Sequence, residues 1–103
     1  MKAEELQDLP GSELVIAGLD DLANGVFDSV EALLVAIGSP RLRALGIELP
    51  YRFSELPEHE LYFKLAGLHG IDAHSKYNGL VRRLVSFERA LDGRNQRERS
   101  TSP

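Results

Sequence analysis

Apolar residues recur every three or four positions through most of this chain, the spacing that lays one stripe along an α-helix. Leu14, Val15, Leu19, Leu22 and Ala23 form the first such stripe. Ser12 stands at its start as a predicted N-cap, Glu13 behind it suits the positive end of the helix dipole, and Asn24-Gly25 supplies a stop. Ahead of it, residues 3–9 read as a short helix ended by Pro10-Gly11. Asp28-Ser29-Val30-Glu31 has the spacing of a capping box, with Asp28 in the place of the usual Ser or Thr. The run that follows, Ala32-Leu-Leu-Val-Ala-Ile37, is apolar on every side, which predicts the most buried helix of the fold. Gly38 stops it, and Ser39-Pro40 restarts a short helix over residues 40–45, with Gly46 as its end.

The helical period lapses over residues 47–56. That stretch holds Pro50, Tyr51 and Phe53 and is expected to be an ordered crossover loop packed by its rings. A helix resumes at Pro57 with Glu58 and Glu60 in its first turn. Leu61, Tyr62, Leu65 and Leu68 are expected on its inner face, and Gly67 and Gly70 weaken its end. Asp72 is placed to cap the last and longest helix, whose apolar residues Tyr77, Leu80, Leu84, Phe87 and Leu91 are spaced 3, 4, 3, 4 as in a heptad seam. Val81 and Val85 widen the seam, and Gly93 is expected to end the helix.

No window alternates apolar and polar residues as a strand would. The pattern predicts an all-α fold: a compact bundle of four main helices plus one or two short ones, with short connections favouring antiparallel neighbours. Residues 1–93 are expected to form a single helical domain, and the polar residues 94–103 a disordered tail.

Composition narrows the function classes. A chain of 103 residues fits one domain. It has no cysteine, which removes disulfides, thiolate metal sites and a cysteine nucleophile. No apolar run approaches the ~20 residues of a membrane span, and the polar start Met1-Lys-Ala-Glu-Glu5 does not read as a secretory signal. A soluble cytoplasmic protein with no membrane partner is the expectation.

The net charge of −4 is unevenly spread. Residues 1–40 carry eight acids and one base; residues 41–103 carry eleven bases and eight acids. Such a chain suits docking to itself or to a charged partner, and it equally suits two solvated faces of opposite sign.

Candidate chemistry is sparse. His59, His69 and His74 lack the three- or four-residue spacing of a helical metal pair, so no metal site and no cofactor is predicted. His74 and Ser75 are adjacent, about 100° apart on a helix, and make no nucleophile–base pair; there is no Gly-x-Ser-x-Gly elbow and no phosphate-binding glycine pattern. No catalytic residue is assigned, and an enzyme is not the favoured reading.

The segment 74–89 carries the most pointed pattern. His74, Asn78 and Arg82 recur every four residues and share a face. Asn78 and Gly79 are poor helix formers placed in mid-helix. Gly79 there admits two readings: a close approach by a neighbouring helix, or a polar contact site. Arg82 and Arg83, together with Arg41 and Arg43 of the short helix, offer a basic patch. The six residues His74, Asn78, Arg82, Arg83, Arg41 and Arg43 are therefore the candidates for contact with a partner or an anion. The leading expectation is a non-enzymatic protein-interaction or regulatory module that binds a protein partner or a second copy of itself. A nucleic-acid-associated regulator using the four arginines is the alternative. A small enzyme or ligand-binding protein using the face of His74, Asn78 and Arg82 is the third.

Overall fold

The computed structural model describes residues 3–49 and 55–101. Among these the regular structure is all helical, in the order α1 (Ala3–Leu6), α2 (Ser12–Ala23), α3 (Val30–Ile37), α4 (Ser39–Ala44), α5 (Pro57–His69) and α6 (Ala73–Thr101), with one 3-10 turn at Gly70–Asp72 before α6. Four longer helices and two short ones thus build the all-α fold the pattern predicts. The expected ring packing by Tyr51 and Phe53 lies outside the described residues; of the flanking loop, Ile47 is buried and Leu49 packs on the core.

The core follows from the stripes. Val15 and Leu22 of α2, all of Ala32–Ala36 in α3, Leu42 of α4, Leu61 and Leu65 of α5, and Leu84, Phe87 and Leu91 of α6 are buried together, closed at one end by Leu6. Each fully buried Leu or Phe contributes about 1.5–3 kcal/mol over an exposed one. The eight-residue α3 is enclosed on every side, as its unbroken apolar run requires. The seam of α6 is spent inside the fold, with Tyr77 and Leu80 completing it at partial burial.

Two glycines let helices approach more closely than side chains allow. Gly11 caps α2 at φ 75°, and a Cβ there would stand 2.6 Å from the carbonyl oxygen of Arg83, so the α1–α2 turn lies directly on α6. A Cβ on Gly18 would stand 2.4 Å from the carbonyl oxygen of Glu31, so α2 rests against the backbone of α3.

Several boundaries depart from the sequence expectation, each for a local reason. The N-cap of α2 is Gly11, not Ser12; Ser12 is already helical, is buried, and its hydroxyl donates back to the Gln7 carbonyl at 3.0 Å. The N-cap of α3 is Ser29 instead of Asp28: its Oγ accepts from the Ala32 N–H at 3.0 Å and donates to the Asp21 carboxylate at the end of α2. Helix α1 ends at Leu6, before the expected Leu9, and α4 covers Ser39–Ala44 behind a Gly38 cap. Tyr62 and Leu68, expected on the inner face of α5, are exposed.

The largest departure is at the C-terminal side. Gly93 does not end α6, and residues 94–101, expected in a disordered tail, continue the helix. Glycine in mid-helix costs only about 1 kcal/mol relative to Ala, and this stretch has anchors to offset it. Arg94 donates to the Glu5 carbonyl and lies 3.6 Å from the Asp8 carboxylate, Asn95 donates to the Leu45 carbonyl at 3.1 Å, and Gln96 donates to Asp92 at 3.2 Å. Polar residues that looked solvated in sequence hold α1 and the end of α4 against α6.

Candidate interaction surface

The six candidate residues are not brought together. His74 and Asn78 stand on the exposed flank of α6, where the Asn78 amide donates to His74 Nε2 at 3.1 Å in the tautomer that carries the ring proton on Nδ1. Arg82 is exposed one turn further on. Arg83 reaches the other way and pairs with Glu13 of α2, while Arg41 lies 3.7 Å from Asp92. Arg83 and Asp92 are nine residues apart, which at about 100° per residue puts them on opposite sides of α6. The four arginines are therefore divided between two flanks, and two of them face acids from other helices. The uneven charge of the chain is in part matched within it: acids of the first third (Asp8, Glu13) meet bases of α6 (Arg94, Arg83). Both pairs have at least one exposed partner, and such pairs contribute about 0–1 kcal/mol.

Gly79 settles one ambiguity of the sequence. Nothing lies within 4 Å of a Cβ built on it, so no neighbouring helix approaches there. It lies instead in a shallow groove with Asp72, Ser75, Lys76, Leu80 and Arg83, which His74, Asn78 and Arg82 do not line. Among the described residues no group of three His, Asp or Glu side chains is gathered as a metal ion would require.

A different surface stands out. Seven large apolar side chains are exposed among the described residues, and five of them fall between positions 56 and 71: Leu56, Tyr62, Phe63, Leu68 and Ile71. Phe63 is 73% exposed and Ile71 98%. The cause is helical geometry. Leu61 and Leu65, one turn apart, fix the buried side of α5. Phe63 sits between them in sequence and about 200° away around the helix, so it points outward. Gly67, one turn beyond Phe63, has open space where a Cβ would be.

Beside Phe63 runs a shallow, almost wholly apolar depression between α5 and α6, lined by Glu58, His59, Tyr62, Phe63 and Tyr77. The Tyr62 and Tyr77 rings pack across it with centroids 5.9 Å apart and planes tilted by 59°, a favourable aromatic arrangement. Partial burial, and then the nearby Glu58 carboxylate, push the Tyr77 phenol above its ordinary range. Glu60 and Lys64 flank the exposed ring on α5.

The sequence contained a signal for this surface. The buried pair Leu61 and Leu65 leaves no place on the inner stripe for Phe63, and α5 holds more large apolar residues than one stripe can bury. The same accounting removes the heptad seam of α6 from the candidates, since Leu84, Phe87 and Leu91 are enclosed by the fold. No helix among the described residues is long and apolar enough to cross a membrane. No family model matches the chain, and no curated protein or solved structure is significantly similar to it.

Proposed function

We propose that the protein is a non-enzymatic interaction module and that its contact surface is the outer face of α5 with the turn that follows it. The observation that supports this reading is the clustering of exposed Leu56, Tyr62, Phe63, Leu68 and Ile71 on one short segment. Large apolar side chains held in water, as Tyr62 and Phe63 are at the depression beside α6, gain free energy of burial on contact with a partner. Aromatic side chains at the centre and charged ones at the rim make up the usual anatomy of a protein–protein interface. Here Phe63 and the Tyr62–Tyr77 pair supply the centre, with Glu58, Glu60 and Lys64 about them.

A photo-reactive phenylalanine analogue placed at position 63, and in a separate variant at position 82, tests this in the native host. Cross-linked protein is expected from position 63 and not from 82. Cross-linking at 82 alone, or to nucleic acid, would move the contact to α6 and favour the alternative. The division of Arg41 and Arg83 between two ion pairs on opposite flanks gives that alternative less support than the four arginines had in sequence.

A further inference from the structure

We infer that the occupant of the α5 face is a second copy of this chain, with the two α5 helices antiparallel about a two-fold axis near residue 62. The inference rests on the reading of that face as the contact surface and goes beyond it by naming the partner.

Charge complementarity carries the argument. Along α5 the acids come first, Glu58 and Glu60 after Glu55 in the preceding turn, and Lys64 and His69 come later. Glu60 and Lys64 lie one turn apart on the same flank of Phe63. In an antiparallel helix pair, residues on the same flank meet their counterparts across the interface. A two-fold axis midway between Glu60 and Lys64 therefore brings Glu60 of each copy to Lys64 of the other, so one favourable contact is made twice. The same axis lays the acidic first turn of one helix beside the C-terminal end of the other, so the helix dipoles oppose. It lets each Phe63 pack beside the opposing ring. Gly67, with no side chain, leaves room for the opposing helix to come close.

The test is the solution mass of the purified chain by light scattering on a size-exclusion column, with sedimentation equilibrium for the dissociation constant. The wild type is expected at twice 11.4 kDa. Phe63→Glu is expected at the monomer mass with an unchanged helical circular dichroism spectrum. Glu60→Lys or Lys64→Glu alone creates two repulsive contacts and is expected to raise the dissociation constant about tenfold. The double swap Glu60→Lys/Lys64→Glu is expected to restore it. A wild type that stays monomeric up to about 1 mM, or a folded Phe63→Glu that stays dimeric, overturns the inference. So does a double swap no tighter than either single reversal. A monomeric wild type that nevertheless cross-links a different protein from position 63 overturns self-pairing alone; one that cross-links nothing there removes the proposed contact surface as well.

Discussion

Glycine stands inside a helix on both sides of this molecule, and the surroundings could hardly differ more. On the α2–α3 side a Cβ on Gly18 would run into the backbone of Glu31, and the five residues Ala32–Ala36 are all buried. In α5 and α6, by contrast, Gly67 and Gly79 have nothing within 4 Å of a Cβ, and the thirteen-residue α5 buries only Leu61 and Leu65. The first side is closed by the chain's own helices at the distance only glycine permits. The second is left with apolar side chains in water and room beside them. The same residue types thus mark an internal contact in one place and an unfilled one in the other, and packing alone distinguishes them.

Substitutions sharpen that contrast. The largest effect is expected within α5 itself: Leu61→Ala should lose about 2–5 kcal/mol of unfolding free energy in urea titration, while Phe63→Ala, two residues on, should stay within about 0.5 kcal/mol of wild type, measured at concentrations where the chain is monomeric. Equal losses at both positions would mean that Phe63 is packed. Next comes Gly18→Ala, which places a methyl group against a backbone carbonyl that has no rotamer to escape into; a loss of about 1–3 kcal/mol is expected. Gly79→Ala should move the other way and gain about 1 kcal/mol, because the methyl group meets open space and the helix propensity improves. A loss there would show that α6 is approached after all.

Smallest, and read as a slope, is the effect of Glu88. This carboxyl is buried beside Gly38, and desolvation pushes it above its ordinary range, with nearby Arg41 pulling it partly back. The native state then holds the proton at pH values where the unfolded chain has released it. Stability should rise as pH falls from the raised native value toward the ordinary one near 4.5, and Glu88→Gln should flatten that part of the curve.

How much of this the sequence revealed depended on whether a residue's role is set along its own helix or across to another. The fully apolar α3 and the α6 stripe were legible because periodicity alone decides which side is buried. The extension of α6 past Gly93 was not, since it rests on Arg94 and Asn95 reaching carbonyl groups of Glu5 and Leu45, 89 and 50 residues away. His74, Asn78 and Arg82 follow one another along α6 with a hydrogen bond between the first two, but sharing a flank does not make a site. Phe63 was readable from the angle it makes with Leu61 and Leu65. Tyr62 lies outside the inner stripe of α5, which is narrower than its apolar content, while Leu68 is in angular register with Leu61 but stands at the end of α5, past the buried pair.

The anchoring of α1 also bears on how the protein is made. Leu6 is fully buried, and the Glu5 carbonyl beside it is held by Arg94, 89 residues further along the chain. A ribosome delivers residue 6 long before residue 94. During synthesis the Arg94 bond to the Glu5 carbonyl, beside this leucine, can form only once residue 94 has emerged. Closing that long loop is entropically costly and belongs among the last steps of folding. Until then α1 lacks this tie to α6, and its hold on the fold rests on its packing against α2.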